Sequence, residues 1–287
     1  MSDDVLGGLR PRLISLAYRI TGSRTDAEDI VHEAALRWLN ADRSNVRSPD
    51  AFLTTITTRL SLNHLRDRKA RRETYPGDWL PEPVDTGAAD RRELLDEISF
   101  GFLTMLERLT PLQRAVFILR SAFDCGYGEI ASIVGRDEAV CRKIFSRAQA
   151  AVMLARPGRP VSGAVHKALL AEFLQAVGSG DISRLALLLA DDVAMRGDGG
   201  PGAPALKRPL RGRQAVARFV VASRALLPAD AVLSLGELNG VPAATFQVQG
   251  RCVLAVLIEC TAERSIDCVF AISNPHKLRA IGEGLAA

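Results

Sequence analysis

The segment Glu129–Ala150, EIASIVGRDEAVCRKIFSRAQA, decides how the front half of the chain folds. Ile130 and Ile133 have a spacing that one helix face can bury, and Gly135 can take the left-handed dihedrals that end a helix. Asp137 can then cap a second helix. Two short helices joined at a glycine are the outline of a helix-turn-helix.

The second helix of this segment has two different faces. Apolar residues at helical spacing form one face, and cations with a hydroxyl form the other. The apolar face comprises Cys141, Ile144, Phe145 and Ala148, and the polar face comprises Ala139, Arg142, Lys143, Ser146 and Arg147. The polar face suits a DNA major groove flanked by phosphates. A helical hairpin with a solvated basic face explains the same residues, so this segment alone leaves both interpretations open.

The composition limits the class of protein. The 287 residues are enough for two or three domains, each with its own core. No apolar run approaches the ~20 residues of a membrane span. The five cysteines are odd in number and lack C-x-x-C spacing, which favours reduced side chains in a cytoplasmic protein. We therefore expect no membrane contact, no metal and no cofactor.

Charge is concentrated in blocks, although the net charge is only +4. Residues 47–72 and 136–159 are rich in arginine and lysine, and residues 73–97 between them are strongly acidic. Two basic blocks indicate a protein that touches nucleic acid at two separated places. Solvated faces produce similar blocks, so this pattern supports the interpretation without requiring it.

Two helices are predicted before the first basic block. Residues 9–20 are amphipathic, and the next helix begins with Thr25 and Glu28 in capping-box spacing. This second helix leaves an acidic face outside, formed by Asp26, Asp29, His32 and Glu33. An acidic face does not bind phosphate, so it is either solvated surface or a docking face for a protein.

A long helix is predicted after Ser48, because Pro49 suits a first turn. Phe52, Ile56 and Leu60 follow one stripe and are expected to face the core. The C-terminal half of the helix carries more cations than the helix dipole explains. These cations are Arg59, Arg66, Arg68, Lys69, Arg71 and Arg72.

Residues 74–90 are predicted to be a linker, because their prolines and glycines exclude a helix. Yet Tyr75, Trp79 and Leu80 are large side chains, each worth ~1.5–3 kcal/mol when buried. We therefore expect the linker to pack on a partner surface. Helices then resume at about residues 91–109 and 110–123 and lead into the helix-turn-helix.

The pattern changes after a second boundary at residues 156–163. Helices are predicted at 164–177 and 213–226, followed by strands at 231–238, 243–248, 252–260 and 266–272. Helices followed by a strand meander indicate an α+β domain. The predicted fold is multi-domain: two all-α domains at 1–73 and 91–156, joined by the linker 74–90, and an α+β domain at 164–287.

Taken together, the front half resembles the extracytoplasmic-function (ECF) sigma factors of bacterial RNA polymerase. DAEDIVHEAALRWL (26–39) resembles the region 2 helix that docks on the polymerase β′ clamp, and SPDAFLTTITTRLSLNHLRDRKARR (48–72) resembles the part that melts and reads the −10 promoter element. LTPLQRAVFILRSAFDCGYGEIASIVGRDEAVCRKIFSRAQ (109–149) resembles region 4, which reads the −35 element. The resemblance implies two partners: core RNA polymerase, through its β′ clamp and β flap, and promoter DNA at −35 and −10.

The resemblance also implies roles for individual residues. The acidic face Asp26, Asp29, His32 and Glu33 would dock on polymerase. Arg142, Lys143 and Ser146 would enter the −35 major groove, with Arg136 and Arg147 on phosphate. At −10, the loop 40–47 with Asn45 would capture a flipped base, and Arg59, Asn63 and Arg66 would contact the strand. Asn63 stands where the family more often has Asp.

YPGDWLPEPV, at Tyr75–Val84, is similar to the linker signature of the sigma-J-type subgroup, whose members carry a SnoaL-like α+β domain after region 4. DGG at Asp198–Gly200 and NPHKL at Asn274–Leu278 resemble two further motifs of that subgroup. After DGG, the subgroup usually has a third glycine and a nearby lysine, whereas this chain has Pro201 and a lysine only at Lys207. His276 stands where the subgroup usually has an acid. The implied regulatory contact joins linker residues to the C-terminal domain: Tyr75, Trp79 and Leu80 on one side, Asp198, Asn274 and Lys277 on the other.

Two other functions stay open. A helix-turn-helix repressor with a ligand-sensing domain fits the basic helix, although it needs no acidic docking helix. SnoaL-like folds also include cyclases and hydrolases, for which Asp191, Asp192, Asp198 and His276 are candidates. The predicted strands carry few ionisable residues able to converge as an acid–base pair, which argues against catalysis. We assign no catalytic residue and leave open whether the C-terminal domain takes an unknown small ligand.

Overall fold

The computed structural model describes residues 2–42, 44, 46, 48–72, 75, 77–87, 99–155, 161–204 and 206–281. The chain divides into two compact units. The first, here the helical unit, combines Met1–Thr74 with Phe102–Arg156. The second, here the sheet unit, combines Tyr75–Gly101 with Pro157–Ala287. The two helical segments of the front half therefore pack in one unit, and the Pro-rich linker between them belongs to the other.

The helical unit contains the predicted helices of the front half. They are α1 (Ser2–Thr21), α2 (Arg24–Asn40), α3 (Pro49–Arg72), α4 (Phe100–Leu106), α5 (Pro111–Ser121), α6 (Tyr127–Val134) and α7 (Glu138–Ala155). Helix α4 begins at Phe100 and Gly101, which belong to the sheet unit. The predicted helical residues 91–98 lie outside the described part of the chain. No described helix is both long and apolar enough to cross a membrane.

The start of α2 differs from the prediction. Ser23 is the N-cap, and its hydroxyl accepts a hydrogen bond from the backbone N–H of Asp26 at 3.1 Å. The helix therefore begins at Arg24, two residues before the predicted first turn. The predicted capping box of Thr25 and Glu28 is wrong, because Glu28 instead accepts a hydrogen bond from Arg24 at 2.6 Å.

The buried face of α3 also differs from the prediction. Thr57 and Ser61 are fully buried, whereas Phe52, Ile56 and Leu60 are only half-buried. A helix tolerates buried hydroxyls that bond to a carbonyl one turn back, as Ser61 Oγ does with the Thr57 carbonyl at 2.8 Å. A search for apolar periodicity misses this face because part of it is polar.

The helix-turn-helix is formed by α6 and α7 and rests on α5. Gly135 ends α6 with φ 65° and ψ 49°, the left-handed conformation that the sequence predicts. Cys141 and Ala148 of α7 are fully buried, and Phe145 stacks on Phe117 of α5 with 5.8 Å between ring centroids. The predicted division of α7 into an apolar and a polar face is therefore confirmed.

The sheet unit is built on one six-stranded sheet with the order β2-β1-β6-β5-β4-β3. The strands are β1 (Leu189–Asp198), β2 (Leu210–Arg211), β3 (Val232–Leu238), β4 (Val241–Val248), β5 (Arg251–Cys260) and β6 (Ile266–Ile272). β1 and β6 run parallel, and the other neighbours are antiparallel. The four predicted strands are confirmed. β1 was not predicted, because its paired acids Asp191 and Asp192 interrupt the apolar pattern.

The two faces of the sheet are covered differently. The helices of this unit are α8 (Gly163–Ser179), α9 (Ile182–Leu188), α10 (Arg213–Ser223) and α11 (Pro275–Leu278). Residues of α8, α9 and α10 form a core with one face, where Phe173 and Val269 are buried. On the other face, Leu80 and Phe100 are buried, and Phe100 meets Phe270 edge to face at 5.1 Å. The predicted fold class, helical regions followed by an α+β domain, is confirmed.

The chain leaves β1 through a tight glycine loop. Gly200 has φ 58°, a conformation that favours glycine. At Gly199, a Cβ atom would lie 2.3 Å from the carbonyl oxygen of Ala203, much closer than a normal contact. This loop returns the chain beside Asn274, whose backbone N–H donates to the Asp198 carbonyl at 3.0 Å.

Gly199→Ala should therefore lower the free energy of unfolding by ~1–3 kcal/mol, because the clash is with backbone and has no flexible side chain to relieve it. Urea unfolding of the full chain, followed by circular dichroism, measures the change. Gly202→Ala in the same loop is the matched control: its Cβ would meet only Pro275, at 3.6 Å, and stability should stay within ~0.5 kcal/mol. Equal effects of the two variants would contradict the steric requirement at Gly199.

Candidate functional site

Helix α7 presents the polar face that the sequence assigns to the −35 element. Lys143, Ser146 and Arg147 are exposed on it, opposite the buried Cys141. Arg142 is also exposed, but it pairs with Glu138 and lies over the ring of Tyr127 at 4.8 Å. Arg136 precedes the helix and is exposed, with one guanidinium nitrogen on the Gly135 carbonyl.

Of the residues assigned to the −10 element, Asn63 and Arg66 are exposed to solvent, but Arg59 already bonds to another helix. Arg59 of α3 donates to the carbonyls of Ile133 at 2.9 Å and Ser132 at 3.0 Å, at the C-terminal end of α6. Helix ends of this kind have unbonded carbonyls and attract cations. Asn63 and Arg66 are exposed and hydrogen-bond to each other at 3.0 Å. Asn45 and the side chains of residues 69–72 lie outside what the structure describes.

A buried arginine network joins α1 and α3 to Glu107 and α5 within the helical unit. Arg114 of α5 is only 2% exposed, and it donates to the Arg19 carbonyl at 3.0 Å and pairs with Glu107. Glu107 also lies 3.6 Å from Arg68 of α3, and Arg68 donates to the Thr21 carbonyl at 2.5 Å. Arg114 and Arg68 thus satisfy two backbone carbonyls at the C-terminal end of α1. Sequence reasoning missed this network because each charge, taken singly, fits a solvated helix face.

The acidic face of α2 is less uniform than predicted. Asp29 and His32 are exposed, and Glu33 binds Arg37 at 2.8 Å across the same helix. Asp26 was predicted to lie outside but is half-buried, with His64 of α3 at 3.0 Å. Burial alone would raise the pKa of Asp26, but the hydrogen bonds to His64 and Ser23 and the charges of His64 and Arg68 together hold the pKa below its usual value. Asp26 therefore joins α2 to α3.

The sheet unit brings the predicted linker and C-terminal residues together in one cluster, here called the clasp. The carboxylate of Asp198 is fully buried and accepts hydrogen bonds from Tyr75 Oη at 2.5 Å, the Leu80 N–H at 2.9 Å and Lys277 Nζ at 2.6 Å. Asn274 Nδ2 donates to the Tyr75 hydroxyl oxygen at 2.9 Å. Hydrogen bonds to charged groups of this kind are shorter and stronger than neutral ones.

The ammonium of Lys277 is held on several sides. It donates to the Leu80 carbonyl as well as to Asp198, and it lies 3.7 Å from the ring centroid of Trp79. A cation over an indole face is the favourable cation–π arrangement. The six residues predicted for the regulatory contact thus meet at one place within the sheet unit.

Sequence reasoning missed further ties between the linker and the sheet. Asp78 binds Arg196 of β1 through two bonds, at 2.6 and 2.9 Å. Farther along, Val84 exchanges two bonds with Asn239, at 3.0 and 2.8 Å, and the Thr86 N–H donates to the Glu237 carbonyl at 3.0 Å. The linker thereby pairs briefly with the edge strand β3. A signal was present in the PEPV sequence, because an extended Pro-rich segment suits a sheet edge.

The candidate catalytic residues of the C-terminal domain do not converge. Asp198 is taken up by the clasp, Asp191 pairs with Arg213 at 3.1 Å, and Asp192 and His276 are exposed. Among the described residues, no group of His, Cys, Asp and Glu side chains is arranged to hold a metal ion. Elsewhere in the sheet, burial raises the pKa of Glu259 to about 7, and the charge of Asp267 contributes.

Comparison with known proteins identifies both helical regions. The family model Sigma-70 region 2 matches residues 7–71, and the model Sigma-70, region 4 matches residues 100–152. Except for Arg72, these ranges contain the segments whose residues resemble the polymerase-docking, −10 and −35 parts of ECF sigma factors. The family models do not extend over the sheet unit beyond Phe100 and Gly101.

One relative matches nearly the whole chain, and another matches about two thirds of it. ECF RNA polymerase sigma factor SigJ of Mycobacterium tuberculosis (strain H37Rv) is 38% identical over 285 residues, which are 94% of this chain and 90% of that protein. The probable ECF RNA polymerase sigma factor SigI of the same strain is 34% identical over 192 residues, covering 64% of this chain and 66% of that protein. The crystal structure of M. tuberculosis SigJ matches with a TM-score of 0.75 at 33% identity, covering 96% of this chain and 98% of that one.

The match to SigJ covers 94% of the chain and therefore runs through both units. It agrees with two helical sigma-factor regions followed by an α+β domain. Promoter-specific initiation with core RNA polymerase is thus favoured over the repressor interpretation. The chain belongs to the ECF RNA polymerase sigma factors and, like the sigma-J-type members that its linker resembles, carries a SnoaL-like α+β domain after region 4.

Proposed function

We propose that this sigma factor is a cytoplasmic initiation factor whose own sheet unit controls the linker between its two promoter-binding regions. The observation that carries the proposal is the clasp, in which the buried Asp198 and Lys277 hold Tyr75, Trp79 and Leu80 of the linker. A linker held in this way is not a free tether. The domain would then act in place of a separate regulatory protein.

At the −35 element, Lys143 and Ser146 are the proposed base contacts, because both are exposed on the side of α7 opposite the buried Cys141. Arg142 contributes when it leaves Glu138 and Tyr127. Arg136 and Arg147 flank this face and are assigned to phosphate. Phosphate contacts give affinity, and base contacts give the choice of sequence.

Lys143→Ala should cost ~1–3 kcal/mol on promoters with the preferred −35 base and little on promoters altered at that one position. Arg147→Ala is the matched control, because losing a phosphate contact weakens all promoters alike. In vitro transcription with core polymerase on a panel of −35 variants measures both effects. The groove assignment of Lys143 fails if its variant weakens every promoter equally.

At the −10 element, we propose that the helical unit must open before DNA is bound. The −35 and −10 elements lie about 85 Å apart on straight B-DNA, at ~3.4 Å per base pair. In the helical unit, by contrast, Arg59 of α3 directly contacts the end of α6. While these bonds hold α3 against α6, α3 cannot move away from region 4 to reach the −10 strand. Arg59, Asn63 and Arg66 are therefore proposed −10 contacts of an open state, and Asn45 keeps its predicted role in base capture.

The proposed polymerase-docking face consists of Asp29, His32 and Glu33, all on the outer side of α2. Its proposed partner is the β′ clamp, while region 4 is assigned to the β flap. Asp26 is a weaker candidate, since His64 already binds its carboxylate.

Reversal of charge in Asp29→Lys with Glu33→Lys should abolish binding to core polymerase, because the docking face would then repel a basic partner surface. The free energy of unfolding should change by no more than ~0.5 kcal/mol per substitution, since neither side chain is buried. Fluorescence anisotropy with labelled core polymerase measures the affinity. Glu172→Lys, an exposed position on α8, is the control and should bind as wild type. Wild-type affinity in the double variant would refute the docking role.

Removing one hydroxyl group from the clasp tests the proposed regulation. Tyr75→Phe removes the hydroxyl that bonds to Asp198 and Asn274, which should cost ~1.5–3 kcal/mol because one partner is a charged group. We expect promoter output in vitro to change from that of wild type, and Trp79→Ala to change it in the same direction. Tyr127→Phe makes the same chemical change in the helical unit and is the control. If Tyr75→Phe loosens the linker in limited proteolysis but leaves transcription unchanged, the clasp is structural only.

A further inference from the structure

A cavity of about 620 Å³ opens on the sheet unit beside the clasp. It lies between the start of β5 and the segment that runs from Ser273 through α11 to Ile281. This size is within the range of pockets that hold small organic ligands, ~300–1,000 Å³. The cavity is separate from the core that α8, α9 and α10 form on the opposite face of the sheet.

The floor of the cavity is apolar. Cys252, Leu278 and Ile281 line it and are 8%, 2% and 3% exposed, and Val253 and Pro275 add carbon surface. Burial raises the pKa of the Cys252 thiol to about 11, so the floor is uncharged at neutral pH. A ligand that covers this floor gains by removing its own apolar surface from water.

The rim of the cavity is positively charged. Arg251 and Arg279 both line it and are exposed. Within the described part of the chain, neither guanidinium has a carboxylate within salt-bridge distance, and no lining residue is acidic. By contrast, Arg196 and Arg213 of the same unit each have an aspartate partner. Guanidinium groups without a carboxylate partner favour a ligand with a carboxylate, sulfonate or phosphate head group.

We infer that this cavity is a binding site for a small amphipathic anion, with its acidic head on Arg251 and Arg279 and its apolar body on Cys252, Leu278 and Ile281. A neutral lipid lacks the group that the rim would bind. A compact inorganic anion lacks the surface that the floor would cover. The inference does not depend on the proposed regulation by the clasp.

The site adjoins the clasp. Leu278 lines the cavity, and the adjacent Lys277, in the same turn of α11, bonds to Asp198 and Leu80. A ligand that binds differently when the clasp is closed or open shifts that equilibrium, and the clasp in turn changes the ligand's affinity by the same factor. Clasp variants such as Tyr75→Phe are therefore expected to alter binding in the cavity.

The test uses the full chain and the fluorescent probe 8-anilinonaphthalene-1-sulfonate, whose sulfonate and fused rings match the rim and the floor. The probe should bind saturably at one site, and decanoate should displace it at least tenfold more effectively than decan-1-ol. Arg251→Gln and Arg279→Gln should each weaken binding about tenfold, as expected for an ionic hydrogen bond. Arg264→Gln, in the turn at the far end of β5, is the matched control and should bind as wild type.

Both rim arginines are exposed, so the variants are expected to melt as wild type does, and a thermal scan verifies this. The charge reversal Arg251→Glu is a second variant that should abolish binding of the probe. Unchanged affinity in both rim variants would overturn the inference, as would equal displacement by decanoate and decan-1-ol. Failure of the probe to saturate at one site would overturn it as well.

Discussion

The sheet unit depends on one buried ion pair, Asp198 with Lys277. The side chain of Asp198 has no exposed surface, and that of Lys277 is 9% exposed. Two charges taken out of water are tolerated only when excellent geometry and further hydrogen bonds satisfy them. Tyr75 and the Leu80 N–H supply bonds that the C-terminal domain cannot supply by itself. The linker is therefore structurally part of the domain that it touches.

The helical unit is held together by ties of a different kind. Arg59 makes its bonds to Ile133 and Ser132 at the rim of the unit, where water can replace a carbonyl partner at little cost. The Arg114 and Glu107 pair is buried and is harder to separate. We expect opening of the helical unit to begin at the contact of α3 with α6. The clasp can stay closed while this occurs, because it does not involve those residues.

Some elements of this fold could be predicted from the sequence and others could not, for physical reasons. The helix-turn-helix was predictable because Gly135 and the stripe from Cys141 to Ala148 obey local rules of helix geometry. The size of Tyr75 predicted that it packs on a partner surface, but its partner Lys277 was found only through resemblance, since no local pattern relates positions so far apart in the chain. The α3 face with Thr57 and Ser61 was missed because residues with a hydroxyl group can be buried without an apolar signal. The Ser61 hydroxyl bonds to its own helix, whereas the Thr57 hydroxyl has no hydrogen-bond partner among the described residues.

The missed ion pairs have another cause. Arg196, Asp78, Arg114 and Glu107 all belong to residue types that usually face solvent, and only the fold reveals which of them are paired. Strand β1 was hidden for a related reason, since Asp191 and Asp192 lie in its exposed half. Long-range charge pairing thus sets the limit of prediction here, more than the recognition of helices and strands.

The shared core of linker and sheet has a consequence for how this protein is dissected. Leu80 and Phe100 precede or begin region 4 in the chain, yet both are almost wholly buried against the sheet. A chain cut after region 4 keeps these side chains but loses what covers them, and exposed apolar patches promote aggregation. Low output from such a fragment would then mix insolubility with lost regulation. Point substitutions in an intact chain separate the two, so the domain is better studied in place than by removal.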